Sequence, residues 1–93
     1  MPKEEIIKRE LIIENELGLH ARPASMFVKL ANNYISDIKV EKDGVSVNGK
    51  SIMGIMMLAA SKGTKIKLIA SGDDAAVACD KIAELLRSKF GEQ

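Results

Sequence analysis

The sequence predicts an α+β fold: a four-stranded, mostly antiparallel sheet with three helices packed on one face. Three observations carry this. Apolar residues alternate with polar ones near positions 7–13, 38–47 and 65–70, the period of strands, whereas positions 24–31 and 75–86 carry the period of helices. Taken in order the segments read βαββαβα. One Asp-Gly pair, Asp43-Gly44, joins two of the strands directly, a strong short hairpin signal. No repeat, linker or low-complexity stretch divides the chain, and 93 residues are too few for two independent cores. Residues 1–93 are therefore expected to form one domain.

Each element follows from its residues. Ile7, Arg9, Leu11 and Ile13 alternate with mostly polar neighbours and predict a first strand over about 5–14. Gly18 breaks that pattern. From Ala21 the spacing changes: Ala24, Phe27, Val28 and Ala31 lie on one helical stripe, and Asn32-Asn33 offers a stop. Ile38 and Val40, then Val45 and Val47, form the two hairpin strands. Ser51 can cap a short helix running to about Ala59 or Ala60. Gly63-Thr64 turns the chain into a last strand over 65–70. Gly72-Asp73-Asp74 opens the final helix, with acids at its positive end and Arg87 and Lys89 near its negative end. Its expected buried stripe is Ala75, Ala78, Cys79, Ile82, Leu85 and Leu86, and Gly91 closes it. Small residues such as Ala24, Ala31, Ala75 and Ala78 would let the helices approach the sheet closely.

Composition narrows the function. Fourteen Lys and Arg against 13 Asp and Glu leave a net charge of +1, which argues against a general nucleic-acid or membrane-surface binder. There is no Trp, and the aromatics are only Phe27, Tyr34 and Phe90, so stacking platforms for single-stranded nucleic acid are nearly absent. Cys79 is the sole cysteine and reads as a small core residue, with no disulfide to form. His20 is the sole histidine, so neither a metal site nor a cofactor is expected. The charged start Met1-Pro-Lys-Glu-Glu lacks an apolar signal region, and the longest apolar stretch, Ile55 to Ala60, is too short to span a bilayer. A cytoplasmic protein without membrane insertion is expected.

One segment joins a reactive side chain to an anion-binding geometry: Gly18-Leu19-His20-Ala21-Arg22-Pro23-Ala24. His20 falls in or beside the N-cap of the first helix. The amides of Ala21 and Arg22 are then helix donors without intrahelical acceptors, with the positive end of the dipole behind them. Pro23 removes an amide that would be unpaired in any case. Arg22 adds a guanidinium fork suited to phosphate oxygens. On chemistry alone, a phosphoryl-carrying histidine and an exposed cap-region histidine beside a solvated arginine are about equally supported.

The Gly-Leu-His-Ala-Arg-Pro-Ala run is similar to the active-site motif of HPr, the histidine-containing phosphocarrier family of the bacterial phosphoenolpyruvate-dependent phosphotransferase system. Lys50-Ser51-Ile52-Met53-Gly54-Ile55-Met56 resembles the family's second signature. The resemblance covers nearly the whole chain and implies the family's open-faced β-sandwich. It implies that His20 accepts a phosphoryl group through Nδ1 from phosphorylated Enzyme I and passes it to an EIIA-type protein. Arg22 would stabilise the phosphohistidine, with the backbone of Ala21 and Arg22 on the phosphate. The protein would be a stoichiometric carrier rather than an enzyme, and a monomer. In bacteria with HPr kinase/phosphorylase, the resemblance also implies regulatory phosphorylation at Ser51. Ile52, Met53 and Met56 point away from the face of the short helix that holds Ile55 and Leu58, and would make an apolar patch for docking partners.

The two motifs resemble different branches. Asn-Glu-Leu-Gly-Leu-His is like the nitrogen-related branch, NPr, whereas Lys-Ser-Ile-Met-Gly is like the kinase-regulated sugar branch. A sugar-pathway carrier, a nitrogen-branch carrier and a regulatory module acting through Ser51 alone therefore stand as alternatives. Whether the terminal carboxylate approaches Arg22 is a further question the residues past Phe90 leave open.

Overall fold

A computed structural model describes residues 5–92. The charged start at positions 1–4 and the terminal carboxylate of Gln93 lie outside those residues. The elements are β1 (Ile6–Ile12), α1 (Ala21–Ala31), β2 (Asp37–Lys42), β3 (Val45–Asn48), α2 (Ile52–Met57), β4 (Lys65–Ser71) and α3 (Ala75–Arg87), with a closing 3-10 turn at Lys89–Gly91. The order is the βαββαβα expected.

The four strands form one sheet in the order β1-β4-β2-β3, with every pairing antiparallel. The β2–β3 link is a two-residue hairpin closed by the Lys42–Val45 pair. Asp43 (φ 50°) and Gly44 (φ 80°) both occupy the left-handed region that such a loop demands. The pleat puts Ile38, Val40, Ile66, Leu68 and Ala70 on the inner face, where all are buried. Lys39, Lys65, Lys67 and Glu10 lie on the outer face, which no helix of the described residues covers. On the edge strand β1, Arg9 stands among the inward positions and pairs with Asp80 of α3 at 3.1 Å. A charge of this kind on an edge strand discourages pairing with a second sheet.

The helices close the core from one side. Phe27 is the largest fully buried side chain, packed with Ala24, Val28 and Ala31 of α1 and with Ala75, Ala78, Cys79, Ile82 and Leu86 of α3. Burial pushes the Cys79 thiol pKa up, which suits the core role and disfavours a reactive thiolate.

Four details differ from the sequence reading. The ladder of β1 is assigned to Ile6–Ile12 rather than 5–14, although Ile13 still donates to the Thr64 carbonyl at 2.9 Å. Leu85 is half-buried, and Ala83 takes its place in the buried stripe, because the helix is rotated to point its small residues at the sheet. Helix α2 stops at Met57 instead of 59 or 60, since Ala59 turns left-handed (φ 49°) and redirects the chain toward α1. Asp74 stands at the N-cap of α3 but does not cap it. Its carboxylate instead accepts from the amides of Ile35 and Ser36, both at 3.0 Å, and from the Ser36 hydroxyl at 2.5 Å. It ties the start of α3 to the α1–β2 connection, and the Ser36 hydroxyl is the largest influence lowering its pKa.

Candidate functional site

The segment leading into α1 is built around Gly18. Its φ of 62° is left-handed, and a Cβ there would meet the Ala60 carbonyl oxygen at 2.5 Å and Ser61 Cα at 2.9 Å. Only glycine lets the two backbones come this close. The neighbouring amide, Leu19 N–H, donates to that same Ala60 oxygen at 2.8 Å, and the Leu19 side chain is buried. Two residues after the glycine, the chain emerges at His20.

His20 is the N-cap of α1, in extended backbone conformation (φ −79°, ψ −171°). Its carbonyl accepts the Ala24 amide at 2.8 Å, the first bond of the helix. Its ring makes no capping hydrogen bond and is exposed. The first-turn amides of Ala21 and Arg22 have no intrahelical acceptor, and Pro23, which has none to offer, is buried against the core. Arg22 is exposed and pairs with no carboxylate among the described residues. The expected ingredients of an anion site, imidazole, open amides and guanidinium, therefore occupy a single helix start, and all remain open to solvent.

Across from His20 lies the end of α2. Leu19, His20, Met56, Ala59, Ala60 and Ser61 line a shallow cavity of about 280 Å³. The structure thus brings Met56 beside His20, with Ile52 and Met53 exposed on the same helix, Met53 at 74%. Met57 and Leu17 are exposed as well, and Met57 borders a separate cavity against the hairpin, with Lys42, Asp43 and Val45. Met57 has the same signal as its neighbours, because the Ile-Met-Gly-Ile-Met-Met run is apolar on every side of the helix. The placing of Ala59–Ser61 at the His20 cavity carries no signal in the sequence, since it depends on the left-handed turn at Ala59.

Helix α2 is secured at both ends. Ser51 is its N-cap, the hydroxyl accepting the Gly54 amide at 3.0 Å. Lys42 reaches from the hairpin to donate to the Leu58 carbonyl at 3.0 Å, a cation at the helix's negative end. Ile55 anchors the underside and is fully buried. The apolar surface is therefore presented on a fixed element rather than a loose loop.

Among the described residues, no group of three His, Cys, Asp or Glu side chains could hold a metal ion, and no helix is long and apolar enough to cross a membrane. A larger open cleft of about 460 Å³ lies on the β2–β3 edge among Asp37, Lys39, Ser46 and Asn48, with no histidine in its lining.

Comparison with known proteins agrees with this geometry. Residues 7–88 match the family model for the PTS HPr component phosphorylation site. The chain is 46% identical over 87 residues to a phosphocarrier protein HPr of Neisseria meningitidis, covering 94% of this chain and 98% of that one. The crystal structure of an HPr from Thermoanaerobacter tengcongensis superposes with a TM-score of 0.91 at 49% identity, covering 94% and 98% of the two chains. Crh, a catabolite repression protein of Bacillus subtilis whose crystal structure is a dimer with a swapped domain, is 44% identical with a TM-score of 0.73, covering 89% and 95%.

Proposed function

The chain belongs to the HPr family of the phosphotransferase system, and from that premise we propose that it carries a phosphoryl group on His20. Proteins of this family are phosphocarriers, not enzymes in the turnover sense. The observation that carries the assignment is the exposed imidazole at the head of α1, with open first-turn amides and an exposed Arg22 that pairs with no carboxylate among the described residues. The lone pair of Nδ1 attacks phosphorus on phosphorylated Enzyme I. The N–P bond forms as the bond between phosphorus and its donor breaks, and the donor keeps the electron pair. Backbone amides of Ala21 and Arg22 and the Arg22 guanidinium share the phosphoryl charge. Because the group sits at the surface, an EIIA-type acceptor can approach the same phosphorus and reverse the exchange. Ile52, Met53 and Met56 form the docking patch for both partners, which the carrier meets in the cytoplasm.

The test is phosphorylation with phosphoenolpyruvate, Enzyme I and magnesium, the metal serving Enzyme I. An acid-labile phosphate is expected in the wild type and none in His20→Ala; label retained in that variant refutes the assignment.

A second role rests on Ser51, whose half-buried hydroxyl stands at the head of α2 beside the docking residues. Phosphorylation there by an HPr kinase/phosphorylase would place about two negative charges next to the apolar patch and weaken partner docking. The Ile-Met-Gly context that follows favours the sugar branch over the nitrogen-related one. A carrier must leave His20 free to two partners in turn, so the working form is a single copy. Sedimentation across a concentration series checks this, and a dimer at every concentration would overturn it.

A further inference from the structure

The last turn of the chain is bent back onto the segment that carries His20. After α3, Lys89 (φ 57°), Phe90 (φ 55°) and Gly91 (φ 75°) lie in succession in the left-handed region. Non-glycine residues persist there only when their surroundings hold them. The buried ring of Phe90, 2% exposed, supplies that hold. The reversal delivers Glu92 to the β1–α1 connection. There one carboxylate oxygen accepts the Leu17 amide at 3.2 Å and the other accepts Asn15 Nδ2 at 2.6 Å.

Asn15 is fully buried, and its second Nδ2 hydrogen goes to the Gly18 carbonyl at 3.0 Å. The Gly18 amide returns to the Asn15 carbonyl at 3.2 Å, closing a turn over 15–18. Asn15 Oδ1 is buried without a partner among the described residues. Turning the amide over would aim that oxygen at both a carboxylate and a carbonyl, so the two donors are fixed in this sense. Glu92 therefore grips the turn through a side chain and a backbone amide, and the next two residues after the turn are Leu19 and His20. From the other side, the Ala60 carbonyl holds Leu19.

We propose that Glu92 is a positioning residue for phosphoryl transfer: its carboxylate fixes the 15–18 turn and so sets the placement of the His20 ring. The inference rests on His20 being the phosphoryl acceptor. Reacting groups misplaced by about 1 Å can lose on the order of a hundredfold in rate, so a loosened turn should show in the transfer step. Glutamine at 92 keeps the length but turns an NH2 toward either the Leu17 amide or Asn15 Nδ2, donor against donor. Aspartate keeps the charge and reaches only one of the two donors. The docking residues Ile52, Met53 and Met56 stand on a different element and are untouched by either change.

The experiment compares the full-length wild type, E92Q, E92A and E92D as acceptors for phosphorylated Enzyme I, with initial rates measured against carrier concentration. Circular dichroism at the assay temperature gives the folded fraction of each. E92Q and E92A are expected to lower kcat about tenfold with KM within about twofold of wild type, and E92D to fall between. Wild-type kcat in E92Q and E92A, a loss confined to KM, or a loss that merely tracks the unfolded fraction overturns the inference. His20→Ala runs alongside. If it loses all label while E92Q and E92A transfer normally, only the role of Glu92 fails. If it retains label, the acceptor assignment fails and the role of Glu92 with it.

Discussion

Replacing Gly18 by alanine tests the contact on which the site is built. Two costs are separable. Holding an L-residue in the left-handed region costs about 1–2 kcal/mol, and Gly18 sits there at φ 62°. The added methyl would also fall 2.5 Å from the Ala60 carbonyl oxygen and 2.9 Å from Ser61 Cα. Both are backbone atoms, so no side chain can swing aside. Relief requires the two segments to part by roughly 1 Å, enough to lose the good geometry of the 2.8 Å bond from the Leu19 amide to the same oxygen. A buried donor left unpaired costs about 1–3 kcal/mol. The sum is about 3 kcal/mol, and at about 4–8 °C per kcal/mol for a chain of this size the melting temperature should fall by about 12–24 °C. Gly63→Ala is the control: Gly63 is left-handed too (φ 89°), but a Cβ there meets nothing within 4 Å. It should lose only the conformational part, about 1–2 kcal/mol. Thermal unfolding followed by circular dichroism reads both. Equal losses in the two variants would show that the close approach at Ala60 contributes nothing, and the account of how His20 is placed would fall.

Other consequences can be measured on the same material. Asp74 has a lowered pKa, chiefly through the Ser36 hydroxyl. Its contribution to stability is therefore present above the ordinary aspartate pKa of about 3.9 and lost as pH falls through the lower folded value. The wild-type melting temperature should drop over that acid range, and Asp74→Ala should remove that part of the dependence; an unchanged profile would contradict the clasp. Met53→Glu places a charge at a residue 74% exposed, so the melting temperature should stay within a few degrees. Transfer from Enzyme I should slow through a raised KM, and an unaltered KM would remove Met53 from the docking surface. Ser51→Ala removes the 3.0 Å bond to the Gly54 amide and should cost about 1 kcal/mol in chemical denaturation. The same variant should abolish labelling by an HPr kinase with ATP; retained label would place the modification elsewhere.

The strands, helices and their order were readable because each segment carries its own periodicity, and the Asp43-Gly44 hairpin because its turn type demands those residues. His20, Arg22 and Ser51 were readable for a local reason as well: helix starts are specified by a few consecutive residues. Reading stopped where a feature depends on parts of the chain far apart. Nothing in Gly72-Asp73-Asp74 shows that Asp74 will serve Ile35 and Ser36 rather than its own helix. Leu85 and Ala83 cannot be ranked for burial until the rotation of α3 on the sheet is known.

What the amino-acid sequence determined alone was the set of elements, most of the apolar positions they bury and the grouping of His20 and Arg22 at the head of α1. These are local properties, decided by backbone preference and side-chain period within a few residues. Tertiary structure decided which distant groups stand around that cluster and the helix facing it. It set Ala59–Ser61 and Met56 against His20, Lys42 at the end of α2, and Glu92 on the 15–18 turn. Such contacts need two segments to be docked at once, and only the closed core, with Phe27 and Phe90 inside it, brings them within bonding distance.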